Sequence, residues 1–315
     1  MVRLFNLPLR IFILAVCCLG FSKASFASWP HNKQIDGQTI ERNVQVQSKQ
    51  RQYRVYLPDN GSSYKTNSPL SVVFVFHGGM GSAEQVEKQT GFTDLAKKEG
   101  FIVVYPQGTG MVKTWNAGNC CGAAEREKML DTLFVKAILK DLHSLAKIHS
   151  DRIYATGLSN GAMFSFRLAC DMPHIFKAVA PVAGRMVYDY CQPSTAVSMA
   201  IFNATNDHNV PYKGGIATKG IFAKLGVVKE YPSAQETLSA WQKHNQCSSS
   251  PINHTFEGYD LAEYQCASST SLKQYTLYEG GHSWPGGSKP RMHADTPSQK
   301  INATNEIWNF FKSLE

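Results

Sequence analysis

The chain has no apolar run long enough to cross a bilayer. The best candidate, Ile11 to Phe21, is well short of the ~20 residues a spanning helix needs. It also lacks long runs of one charge, low-complexity tracts and internal repeats, and only 18% of its 315 residues are charged. These absences exclude a solenoid, a disordered charged tail and a polybasic nucleic-acid binder. No Cys-x-x-Cys or paired Cys/His spacing points to zinc, and the serine chemistry read below needs neither metal nor organic cofactor.

A hydrophobic share of 43%, with 11% aromatics, is enough to fill one substantial core. At the N-terminus Arg3 and Arg10 bracket a basic head, the apolar run follows, and Ser22 to Ala27 supply small residues. This is the layout of a cleaved signal peptide over 1–27, with Ser25-Phe26-Ala27 as the cleavage site and 28–315 as one mature domain. No stop-transfer segment follows it, and Val16 before Cys17 fits a lipoprotein signal poorly. The expected location is therefore extracellular or periplasmic, with no membrane contact once the signal is gone. Losing Arg3, Arg10 and Lys23 lowers the net charge from +8 to +5, a value that speaks to solubility more than to partners.

Six of the eight cysteines remain after residue 27: Cys120, Cys121, Cys170, Cys191, Cys247 and Cys266. An even set in an exported chain reads as disulfides, and the sequence leaves their connectivity open, with Cys247–Cys266 the favoured local pair. Asn60, Asn203, Asn253 and Asn302 each begin a glycosylation triplet.

Thr39 to Leu57 alternates with a two-residue period, which predicts an antiparallel hairpin at a sheet edge. Leu70 to Phe76, Phe101 to Tyr105, Ala178 to Ala183 and Met199 to Phe202 are instead nearly continuous apolar runs, as expected for parallel strands covered on both faces. Helical spacing links Leu130, Leu133, Phe134, Ala137, Ile138, Leu142 and Leu145, and recurs over 233–246 and 302–314. Alternating strands and helices predict a single α/β domain with a doubly covered, mostly parallel sheet.

Three motifs carry chemistry. Gly157-Leu-Ser-Asn-Gly161 sits between a short strand and a helix-compatible stretch, the context in which a strained turn presents a nucleophile, here Ser159. His77-Gly-Gly79 follows an apolar strand, and its glycines let the main chain approach a substrate carbonyl. The N–H groups of Gly79 and Asn160 are the expected oxyanion hole, with His77 in a supporting role. Gly280-Gly-His282 follows the strand 274–279 and supplies the base, His293 being its rival. Asp207, just after the run ending at Phe202, is the expected acid, Asp189 the runner-up, and Asp131 reads as a helix N-cap. The order Ser, Asp, His is the one used by α/β-hydrolases.

From about His77 to about Trp308 the chain resembles the polyhydroxybutyrate depolymerase-type esterases, a group similar to feruloyl and acetylxylan esterases. Pro106-Gln-Gly108, Trp115-Asn-Ala-Gly-Asn-Cys-Cys-Gly122, Val210-Pro-Tyr212 and His282-Ser-Trp-Pro-Gly286 carry the likeness alongside the three motifs. The resemblance implies an α/β-hydrolase fold and a Ser159, Asp207, His282 triad. It also implies substrate contacts from Trp115 and Trp284, and disulfides around Cys120 and Cys121. The chain departs from the family at Leu130-Asp-Thr132, where paired acids are usual. Its end soon after the last helix favours a soluble or oligomeric ester over crystalline polymer. Acyl preference stays open among hydroxybutyryl, short aliphatic, acetyl-sugar and hydroxycinnamoyl esters. A thioesterase, a peptidase and a non-catalytic carbohydrate- or surface-binding protein on a hydrolase fold are the competing readings. Oligomeric state is not legible.

Overall fold

Alternating residues build β1 (Gln38–Val46) and β2 (Lys49–Leu57), which pair antiparallel along their whole length. In the computed structural model residues 37–58, 68–219, 223 and 230–315 are described. The predicted signal segment and the Asn60 triplet lie outside them. The chain continues through β3 (Leu70–Phe76), α1 (Ala83–Thr90), α2 (Phe92–Glu99), β4 (Ile102–Pro106), α3 (Gly122–Arg126) and α4 (Asp131–Leu142). Then come β5 (Ile148–Leu158), α5 (Asn160–Asp171), β6 (Ala178–Val182), β7 (Ser198–Ala204), β8 (Gly215–Ile216), β9 (Glu230–Tyr231) and α6 (Ala234–His244). A hairpin of β10 (Ile252–Phe256) and β11 (Tyr259–Gln265), then β12 (Ser271–Leu277) and α7 (Ala303–Lys312), complete the order.

Ten strands form one sheet in the order β1-β2-β4-β3-β5-β6-β7-β12-β11-β10. The six central strands, β4 to β12 in that order, are parallel, and both flanks are antiparallel. This is the predicted doubly covered α/β sheet with its N-terminal edge hairpin. The continuous apolar runs follow from two-sided burial. In β3, Val72, Phe74 and Phe76 face one core with Phe134, Ile138 and Trp241, while Val73 and Val75 face the other with Phe92, Ile307 and Phe311.

Helix α4 differs in detail from its predicted face. Leu130 and Leu133 are exposed, and the buried stripe runs through Phe134, Val135, Ile138, Leu139 and Leu142. Asp131 is not the N-cap, a position held by Leu130. It is a buried carboxylate whose Oδ1 accepts from Arg51 Nη2 at 2.9 Å, while its Oδ2 accepts from the Asn116 amide at 2.8 Å. The charge thus ties β2 and the 115–122 loop to α4. The α6 end carries a full capping box between Ser233 and Glu236. Disulfides join Cys120–Cys121, Cys170–Cys191 and Cys247–Cys266, the last being the favoured local pair. Asn203 is buried within β7, so its triplet is closed to modification in the folded chain.

Removing one partner of a buried ion pair leaves the other charge unpaired. Asp131→Ala is expected to lose about 3–5 kcal/mol in urea unfolding. The double substitution Arg51→Met with Asp131→Leu is expected to recover only part of that loss, because the buried Asn116 amide stays without its acceptor. A single-substitution cost within about 0.5 kcal/mol of zero would contradict this role.

Candidate active site

Strand β5 ends at Leu158 and α5 begins at Asn160, leaving Ser159 as the whole turn. Its backbone has φ 57° and ψ −120°, a strained conformation for a residue with a Cβ. Two hydrogen bonds hold it: the Ser159 amide donates to Val182 O and its carbonyl accepts from the Met163 amide, both at 2.9 Å. A Cβ at Gly161 would lie 2.3 Å from Phe76 O, so only glycine lets β3 press against the start of α5. Asn160 turns its side chain away from the turn. Its Oδ1 accepts from the Trp115 amide at 2.6 Å and its Nδ2 donates to the Trp115 carbonyl at 3.0 Å.

Ser159, Asn160, Gly79 and His282 line one cavity of about 610 Å³, together with Val86, Leu158, Met163, Val210 and Ala217. The space sits beyond the C-terminal ends of β3, β5, β7 and β12, where open α/β sheets place their ligands. Among the described residues Ser159 Oγ has no hydrogen-bond partner.

His282 Nδ1 lies 2.8 Å from Asp207 Oδ2. The other carboxylate oxygen, Oδ1, accepts from the amides of Asn209 at 2.8 Å and Val210 at 2.9 Å. Burial pushes the Asp207 carboxyl up, but His282 and the two amides outweigh it and hold it below the usual range. For His282, burial pushes down while the charge and hydrogen bond of Asp207 push up, and the net direction is up. With Nδ1 donating to Asp207, Nε2 of the neutral ring is free to accept a proton. Asp189 instead accepts from Asn119 on the surface, and His293 is an exposed residue of the cavity mouth.

His77 has the expected supporting place. Its Nδ1 donates to Gly78 O at 2.7 Å and its Nε2 accepts from the Gly108 amide at 2.9 Å, which specifies one neutral tautomer. Burial lowers its pKa to about 4. The two tryptophans depart from the expected substrate contact, and neither lines the cavity. Trp115 is 0% exposed, stacks on Phe164 and donates from Nε1 to His77 O at 2.9 Å. Trp284 is also 0% exposed, packs edge-on against Phe92 and donates to Thr304 Oγ1 at 2.9 Å. Each large ring finds an apolar pocket with one acceptor for its N–H, so both act as posts behind the site loops.

Two residues escaped the sequence reading. Arg185 follows β6 and is fully buried, and its guanidinium donates to Gly184 O at 2.8 Å, Pro211 O at 3.1 Å and Val210 O at 3.4 Å. It therefore clamps the loop that carries Asp207, and burial lowers its own pKa to about 10. Its position just past an apolar strand is the signal shared by Ser159, Asp207 and His282. Asp295 Oδ2 accepts from the His282 amide at 2.8 Å, a contact that no local motif announces.

Imidazole nitrogen NMR is expected to show His77 neutral down to about pH 4 and His282 titrating above the ordinary histidine value. The Arg185 charge opposes protonation of His282, so Arg185→Met is expected to raise the His282 pKa further. A downward shift would contradict that placement.

A family model described as esterase PHB depolymerase matches residues 51–208. A putative esterase, NocK, from Nocardia uniformis subsp. tsuyamanensis is 26% identical over 267 residues, 81% of this chain and 76% of that protein. Feruloyl esterase B of Piromyces equi is 27% identical over 229 residues, covering 70% of this chain and 41% of the relative. Poly(3-hydroxyalkanoate) depolymerase C of Paucimonas lemoignei is 26% identical over 245 residues, 71% and 57% of the two chains. The chain thus spans about half the length of the last two relatives. Among solved structures, acetyl xylan esterase from Aspergillus awamori superposes with a TM-score of 0.56 at 15% identity, over 87% of this chain and 99% of that one. A ferulic acid esterase from Anaeromyces mucronatus gives 0.51 at 14%, over 88% and 90%. These likenesses share the α/β sheet described above, and the family match shows that the chain belongs to the PHB depolymerase esterases, carboxylic ester hydrolases by family.

Proposed function

We propose that the protein is an exported serine esterase acting on short aliphatic or hydroxyalkanoate esters through Ser159, His282 and Asp207. The observation that carries this reading is the 2.8 Å pairing of His282 Nδ1 with a buried Asp207, beside a strained serine turn in the same cavity. Ser159 Oγ attacks the ester carbonyl as His282 Nε2 takes its proton. Asp207 keeps the imidazole in the useful tautomer and stabilises the imidazolium. The amides of Gly79 and Asn160 stabilise the oxyanion, helped by the positive end of α5. His282 then protonates the leaving alcohol, and the same ring activates the water that releases the acyl group.

The lining favours an aliphatic acyl group over a hydroxycinnamoyl one. Val86, Leu158, Met163, Val210 and Ala217 supply most of its apolar wall, and among the described residues no tryptophan lines it and Tyr231 is the one phenyl-type ring that does. Three disulfides accord with export, and among the described residues no helix is long and apolar enough to cross a membrane.

Ser159→Ala is expected to reduce kcat on 4-nitrophenyl butyrate by several orders of magnitude while leaving the thermal unfolding midpoint within a few degrees. Losing the Asn160 amide donor is not testable by side-chain change, but Asp207→Asn is expected to cost ~10⁴-fold. Retained turnover in a folded Ser159→Ala protein would overturn the mechanism and favour a binding role.

A further inference from the structure

The mouth of the Ser159 cavity is cationic. Lys219 and Arg291 both line it and both are exposed, and neither has an ion-pair partner among the described residues. The carboxylate that shares the lining, Asp295, is turned onto the His282 amide at 2.8 Å. The charge facing the opening is therefore predominantly positive, above an apolar wall of Val86, Met163 and Ala217.

The backbone segments that carry these cations are tied to the two halves of the acid–base pair. The amides of Thr218 and Lys219 both donate to His208 O, at 3.0 and 3.1 Å, which anchors Lys219 to the residue after Asp207. Arg291 begins a turn closed by the Ala294 amide on Arg291 O at 3.1 Å, and Asp295 next to it holds His282. An apolar cleft with positive charge held at its rim complements a molecule that is apolar near the reacting carbonyl and anionic at its far end.

We infer that Lys219 and Arg291 form a carboxylate-recognition subsite, so that the enzyme prefers esters bearing a free terminal carboxylate, as in short hydroxyacid oligomers, over neutral esters of the same length. This rests on the esterase reading and specifies its substrate class. Binding at the rim acts before chemistry, so the preference resides in KM more than in kcat. Exposed pairs of this kind contribute little singly and are screened by salt.

The test compares 4-nitrophenyl hydrogen adipate with 4-nitrophenyl methyl adipate, two chromogenic esters that differ in one charge. We expect the acid-to-neutral ratio of kcat/KM to exceed about fivefold at low salt and to shrink towards one as ionic strength rises to about 0.5 M. Lys219→Ala and Arg291→Ala are each expected to lower that ratio about twofold, and the double variant to bring it close to one. Lys97→Ala, a distant surface change, should leave the ratio alone. Hydrolysis of both esters with a ratio near one, or a ratio indifferent to both rim substitutions, would overturn the subsite while sparing the esterase reading. Failure of the folded protein to release nitrophenol from either ester would overturn both.

Discussion

A carboxylate buried beside an imidazole is costly unless its oxygens are satisfied, and the Asp207–His282 pair meets that condition. One oxygen of Asp207 binds the imidazole and the other takes two backbone amides. That arrangement sets which ring nitrogen of His282 faces the cavity. Much of the surrounding loop structure then serves to keep the pair in register: Arg185 grips the carbonyls after Asp207, and Asp295 and Asn206 hold the amides of His282 and Gly281.

The sheet explains why these groups meet at all. Parallel strands deliver every C-terminal end to one edge, so residues following β3, β5, β6, β7 and β12 become neighbours although they span most of the sequence. Two histidines at this edge then diverge by environment. His77 is buried between two backbone partners and kept neutral, which makes it a spacer that fixes the Gly78–Gly79 turn and the start of the Gly108 loop. His282 has a carboxylate partner and is pushed the other way. The same side chain is structural in one place and proton-binding in the other.

Much of this was legible in the residues. Continuous apolar runs announced the covered parallel strands, and motifs placed directly after them singled out Ser159, Asp207 and His282, which the structure brings to one edge of the sheet. The β10–β11 hairpin was not legible, because its residues are exposed or half-buried and carry no apolar alternation. Helices α1 and α2 were missed for a similar reason, their apolar stripes being short among Lys, Glu and Gln. The tryptophans were misplaced because sequence proximity to a candidate site motif does not say which way a side chain points. Trp284 is two residues from His282 yet faces the core beneath α7. Asp131 shows the converse, a residue typical of a cap that the fold uses as a buried counter-charge.

The central claim is that Ser159 is the nucleophile of this cavity. Labelling the protein with a fluorophosphonate, then measuring its intact mass and mapping the modified peptide, tests it most directly. The account predicts one adduct per chain, on Ser159, lost when Asp207 is replaced by a residue that cannot hold His282. Stoichiometric labelling of a different side chain, or a folded protein that resists the probe altogether, would contradict it.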